Sequence, residues 1–295
     1  MTYSTYPNRF RDGVSIGEVP LAVTPTGKVF YVNSTSVRLD NAVAGEDSPS
    51  SPNATAGTFL RPFATLDYAI GQCVADRGDV IICMEGHTED ISAAAGIDAD
   101  VDGITIIGMG TGDKQAKITF SATTSTFEVN ADNVTIDGLW FEATVTGVLV
   151  GLDIIDGADD YTVVNNRFSA ETLGTDEFID AISVTTSDRG AIRNNYIDMD
   201  EAGAASGIHL VGACLGCSIE DNYITGDYSV GCIESITAAQ EQLVFDGNTL
   251  INGAHSGLNT VACVSLLTGT TGVAQNNNLY TNVTAAVTAA FVATQ

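Results

Sequence analysis

The sequence predicts an all-β fold in which one chain is wound into a parallel β-helix, a solenoid of stacked coils. Three observations predict it. The segment Gly190–Ile197 (GAIRNNYI) returns as YTVVNNRF at 161–168, CSIEDNYI at 217–224, LVFDGNTL at 243–250, GVAQNNNL at 272–279 and, more weakly, TIDGLWF at 135–141. Aligning these segments places Asn166, Asn195, Asn222, Asn248 and Asn277 in one column, separated by 29, 27, 26 and 29 residues, with Leu139 lying 27 residues before the first. A fixed period of that size marks a supersecondary unit repeated by stacking. Upstream of most copies stands a second apolar-x-apolar strand: Leu152-Asp153-Ile154, Ile182-Ser183-Val184, Ile208-His209-Leu210 and Val264-Ser265-Leu266. Alternation turns the first and third residue of each inward and the middle one outward. The unit is too short for a propeller blade and has no helix for a leucine-rich repeat, which leaves a parallel β-helix.

Taken in order, residues 1–27 read as an extended arm. They carry Tyr3, Tyr6, Arg9, Phe10 and Arg11 ahead of Pro20 and Pro25. Aromatic residues and Arg are the types that anchor interfaces, so these five are the candidate anchoring residues. Residues 28–34 (KVFYVNS) give a strand, 40–62 a Ser/Pro/Asn/Gly loop. Thr65 then caps a helix predicted over 66–76, with Leu66, Ala69, Ile70, Cys73 and Val74 on one apolar stripe. Val80–Met84 is a short buried strand. A helix ahead of a long β repeat is the expected cap, because the first coil of a solenoid otherwise exposes its interior. The expected division is an arm over 1–27 and one β-helix domain over 28–295. Within it, the capping strand and helix occupy 28–90, the coils about 100–280 and a tail 281–295.

Charge limits the partners. Eleven Lys+Arg against 37 Asp+Glu give a net charge of −26, so nucleic acid and anionic membranes are excluded as partners for the body of the protein. No apolar run approaches the ~18 residues of a membrane span, and the N-terminal residues show no secretory h-region. The last basic residue is Arg193, and the 49 residues after Asp246 contain no charged side chain apart from the titratable His255. That stretch reads as a packed or assembled surface. Six cysteines do not make a disulfide framework. Cys214-x-x-Cys217 lacks a second pair at zinc spacing, and core thiols are expected.

A family resemblance rests on particular residues. Ala44-Gly45-Glu46-Asp47, Gly57-Thr58-Phe59, Pro62-Phe63-Ala64-Thr65-Leu66 and Ala69-Ile70 resemble the N-terminal signature of right-handed parallel β-helix proteins of the pectin-lyase-like superfamily. With NRFRDGVS, KVFYVNS, Asp79-Val80-Ile81 and Glu85-Gly86-His87-Thr88-Glu89, the first ~90 residues resemble structural proteins of marine tailed phages. The resemblance implies a right-handed coil and a place on a virion. It implies the major capsid protein as partner and a homo-oligomer, with a trimer favoured.

Several motifs carry candidate chemistry, and each also has a structural role open to it. The asparagine column reads as a structural ladder, since one residue type repeated along an axis makes rungs and not a converging catalytic set. Asp98, Asp100 and Asp102, followed by Gly103, match the opening of a calcium loop. The twelfth position, though, is Met109 where a bidentate Glu belongs, so an acidic turn is the reading preferred and no cofactor is expected beyond that calcium alternative. β-Helix lyases, as the resemblance implies, use an Arg or Lys as base and calcium-holding Asp residues; β-helix galacturonases pair Asp-Asp with Gly-His-Gly and Arg-Ile-Lys. Asp159-Asp160 is present here, but the later elements are not. Carboxylate pairs such as Asp180 with Glu177, or Asp198 with Asp200, remain open for glycoside hydrolysis. His87, His209 and His255 are scattered. The expectation is therefore a non-enzymatic capsid decoration or cement protein at the virion surface. The alternative is a tail spike or fibre that binds or cleaves host polysaccharide, with Trp140, Tyr161 or Tyr196 as contact residues.

Overall fold

The structure, a computed structural model, describes residues 15–16, 19–20, 27–34, 57–172, 175–199, 203–253, 261–280 and 292–293. They form an all-β parallel solenoid of about seven turns. Three parallel sheets of ten, eight and seven strands make its walls, and each coil contributes one strand to each wall in turn. A coil thus runs, for example, Thr162–Val164 in the first sheet, Arg167–Ala170 in the second and Phe178–Val184 in the third. Apart from the coils, Ser15–Ile16 and Val19–Pro20 pair antiparallel. The anchoring residues Tyr3, Tyr6, Arg9, Phe10 and Arg11, the tail 281–291 and His255 lie outside the described residues.

The register stacks like on like. In the first sheet Ile81, Ile106, Ile136, Val163, Ile192, Ile219 and Phe245 form one inward column, every member buried. In the second, Ile118, Phe141, Phe168, Ile197, Ile224 and Leu250 do the same. The Phe141 and Phe168 rings stack with centroids 4.6 Å apart, and Phe178 of the third sheet packs edge-on to Phe120. Leu152, Ile182, Ile208, Ile233 and Val264 complete the interior from the third sheet. A one-residue slip in any coil would turn such a column outward, so the hydrophobic pattern itself fixes the register.

Two corners hold the coils in line. Between the first and second sheets the turn has two residues in six successive coils: Gly138-Leu139, Asn165-Asn166, Asn194-Asn195, Asp221-Asn222, Gly247-Asn248 and Asn276-Asn277. The first of each pair is in the left-handed region, which is why Gly, Asn and Asp alone appear there. The second is the ladder residue. Asn195 Oδ1 accepts the Asn166 backbone N–H at 2.9 Å and the Asn166 side-chain amide at 3.2 Å, and its own amide donates to Val163 O and to Asn222 Oδ1. The pattern continues through Asn222 and Asn248 to Asn277. The ladder residues themselves have ordinary backbone conformation; the left-handed positions are those of their neighbours.

The corner from the third sheet back to the first carries a ladder that the sequence did not announce. Asp102 Oδ1 accepts the Asp132 N–H, Asp132 that of Asp159, Asp159 that of Asp188 and Asp188 that of Leu215, at 2.8–2.9 Å. Each rung is followed by a left-handed residue: Gly103, Asn133, Asp160, Arg189 and Gly216.

The regular stacking starts ahead of residue 100. Strands Val80–Cys83, Thr88–Ile91 and Ile97–Ala99 already belong to the three sheets. The helix spans Leu66–Ile70 and not 66–76. Past Gly71 the N–H groups of Gln72 and Cys73 turn back to carbonyls only three residues away, and that of Val74 is taken by Asp79 Oδ2 at 2.9 Å. Val74 is consequently exposed. Thr65 occupies the cap position without a side-chain cap bond; Glu89 Oε2, from the coil beneath, accepts the Leu66 N–H at 2.7 Å. The buried His87 completes this relay. Its Nδ1 accepts the Ser34 N–H at 3.0 Å, which leaves the proton on Nε2, 3.2 Å from Glu89.

Candidate functional site

Outward side chains of the third sheet run in register as Asp98, Glu128, Asp153, Ser183, His209, Glu234 and Ser265. No Lys or Arg occurs in any of the seven strands. Beside this column Asp180 and Ser206 are also in register. Near the middle of the longer strands two successive side chains, Ala181 and Ile182, are both buried, as are Ile208 and the backbone of Gly207, whose missing Cβ faces Ile224 and Tyr228 of the core. Two consecutive inward residues break the alternation. Asp180 and Ser206 on one side of the break and His209 and Glu234 on the other therefore converge outside the wall.

The convergence is close. His209 Nδ1 lies 2.8 Å from Asp180 Oδ2 and 3.4 Å from Glu234 Oε1. Ser206 Oγ lies 2.7 Å from Asp180 Oδ1 and 2.5 Å from Glu234 Oε1. Glu234 is only 2% exposed. Burial pushes its carboxyl above the ordinary value, against the Ser206 hydrogen bond and the His209 charge. The His209 imidazole is held above its ordinary 6.5: burial opposes the charged form, but Asp180 and Glu234 outweigh it. Burial, with neighbouring carboxylates, also raises Asp98 and Asp153. Buried oxygens of Asp98, Asp153 and Glu234, and Nε2 of His209, have no hydrogen-bond partner.

This cluster does not suit glycoside hydrolysis. The ligand atoms of Asp180, His209 and Glu234 lie within 4.8 Å of one another, and the Ser206 hydroxyl and the imidazole fill the gap between the carboxylates. Acid and nucleophile in a retaining site stand ~5–5.5 Å apart with the scissile bond between them, and inverting pairs are wider still.

The other sequence candidates separate. Asp102 is a rung of the aspartate ladder, Asp98 points out from the third sheet, and Asp100 is exposed; among the described residues these three form no metal-sized group. Asp159 and Asp160 are both bound by Arg189, whose Nε and Nη2 hold Asp160 at 2.8 Å each. Glu177 is buried, and Asp200 lies outside the described residues. Cys214 and Cys217 are free and buried; the thiol beside it together with burial pushes Cys214 well above its ordinary value, while the Cys214 thiol draws Cys217 below its own.

The three aromatic candidates differ in exposure. Tyr161 is inside the core, with burial pushing its phenol well above the ordinary value. Trp140 is sandwiched along the second sheet, with Lys117 Nζ 3.6 Å and the Arg167 guanidinium 4.0 Å from the ring centroid. Tyr196 is 41% exposed but stacks on Tyr223 at 5.4 Å. A sugar needs a free aromatic face, and the Trp140 faces are already occupied along the axis.

Among the described residues no helix is long and apolar enough to cross a membrane. No family model matches the chain, and no match was found among curated proteins or solved structures.

Proposed function

We propose that this chain is a non-enzymatic structural protein of a tailed-phage virion, a capsid decoration or cement protein held on the head by residues 1–27. The observation that carries the non-enzymatic part is the distribution of charge on the third sheet. Its outward face holds carboxylates, serines and one histidine, with no Arg or Lys to act as base or to clamp an acidic sugar. Of the described cations elsewhere that make ion pairs, Lys117 and Arg189 hold neighbouring coils together, and Arg77 pairs locally with Asp79. What remains is an acidic solenoid around an apolar interior. The virion part rests on the resemblance of the first ~90 residues to phage structural proteins.

The far end supports assembly. The last described coil has no charged side chain, yet Val273 and Tyr280 are 47% and 57% exposed on it. Apolar groups left uncovered on an uncharged end are covered by contact with another surface, and a homotrimer axis is the arrangement proposed. The partner proposed for Tyr3, Tyr6, Arg9, Phe10 and Arg11 is the major capsid protein.

Counting copies in purified particles tests the reading. Hundreds per particle, lost on deletion of residues 2–20 while the isolated body still folds, is the expected result. A handful of copies at the tail, or incorporation unaffected by the deletion, sinks it in favour of a spike.

A further inference from the structure

We propose that Asp180, His209 and Glu234 hold a first-row divalent transition cation, zinc by preference, which staples three successive coils of the solenoid. The three residues come from Phe178–Val184, Ser206–Leu210 and Gly231–Ser235, adjacent strands of one sheet. Their donor atoms already lie within 4.8 Å of one another. A tetrahedral ion with bonds of ~2.0–2.1 Å sets its ligand atoms about 3.4 Å apart. The His209–Glu234 separation is 3.4 Å as it stands, and the 2.8 Å His209–Asp180 separation needs to open by about half an ångström. Ser206 Oγ, in reach of both carboxylates, or a water takes the fourth position.

Two observations beyond the clustering point to a ligand. The first is Glu234 itself: a carboxylate 2% exposed, on a wall without Lys or Arg, with Oε2 lacking any hydrogen-bond partner. A buried carboxylate oxygen left unpaired is costly, and a cation is the usual remedy. The second is Ser206, whose single hydroxyl hydrogen can serve only one of the two carboxylates within hydrogen-bond distance of its oxygen, so the other carboxylate faces an oxygen lone pair, an arrangement that a cation between them bridges.

The donor set chooses the ion. One imidazole nitrogen with two carboxylates suits first-row transition ions, whereas calcium takes six to eight oxygens and has no use for imidazole. The role is structural: with three protein ligands on three coils, binding free energy is gained only when those coils are stacked.

The test uses the full chain, freed of metal by dialysis against a chelator, then titrated with Zn2+, Co2+ and Ca2+. The expected result is one saturable Zn2+ per chain, a raised unfolding temperature and a visible Co2+ absorption typical of low-coordinate N/O ligation. Glu234→Gln and His209→Gln, checked for folding by circular dichroism, are expected to lose at least about tenfold in Zn2+ affinity, the scale seen when even a supporting hydrogen bond of a ligand is removed. If either variant does not fold, the Co2+ spectrum of the unsubstituted protein decides alone. Absence of a saturable equivalent, affinity unchanged in the folded variants, or tighter binding of Ca2+ than of Zn2+ overturns the proposal.

Discussion

Replacing Asn195 removes more than one hydrogen bond. Its Oδ1 serves two donors of Asn166, and its amide serves Val163 O and Asn222 Oδ1, all in a buried corner. Asn195→Ala leaves buried donors and an acceptor without partners, at about 1–3 kcal/mol for each such group. A loss of about 3–5 kcal/mol in thermal or denaturant unfolding is expected. The aspartate ladder behaves differently because its rungs are partly exposed and use only a single oxygen. Asp132→Asn keeps an acceptor for the Asp159 N–H and should change stability by a few tenths of a kcal/mol, while Asp132→Ala should cost about 1 kcal/mol, as for a lost helix cap. Asparagines at a constant offset were legible in the sequence because five identical residues shared one column. The aspartate column was not, since a chain of net charge −26 supplies aspartates everywhere and its last rung ends on Leu215. Chemistry per residue was thus readable where type and position agreed, and hidden where the type was common.

The third sheet is the element whose outward face departs most from an ordinary solvated wall. Asp98 and Asp153 have carboxyls raised above their ordinary 3.8 by burial and neighbouring acids. In the folded chain they hold a proton at pH values where the unfolded chain has lost it. Their charging therefore lowers stability as pH rises from 3.8 through the raised values, and the penalty is complete above them. Asp153→Asn removes the penalty. In metal-free protein the variant should unfold at a higher temperature than the parent near neutral pH, and the gap should close as pH falls towards 3.8. A gap independent of pH counts against this origin. The strands themselves were legible from their apolar-x-apolar pattern. The Asp180–His209–Glu234 convergence was not, because strict alternation puts Asp180 on the same side as Ile182. Only the paired inward residues Ala181 and Ile182 reveal otherwise. The helix was overextended because its stripe continued through Cys73 and Val74, while Asp79 takes the Val74 N–H.

At the scale of the molecule the fold was legible almost whole, since a period of 26–29 residues admits few architectures. Start and end of the stacking were harder, as terminal coils lack the neighbours that give the pattern its regularity. The charge has a consequence there too. With 37 acids against 11 bases in a narrow rod, like charges repel along its length. Raising salt from about 0.01 to about 1 M shortens the screening length from about 30 to about 3 Å, and the unfolding temperature of metal-free protein should rise across that range. A flat profile would mean the acids are already neutralised by bound ions.

The two-residue corners also set how the rod responds to force. Because each asparagine bonds only to the coils on either side of its own, and an end coil has a neighbour on one side alone, tension applied between the chain ends peels the end coils away first. Extension should then proceed in quanta. Each coil of 26–29 residues releases about 90 Å of chain, and a trace from an optical trap should show a ladder of near-equal steps in place of one collective rupture.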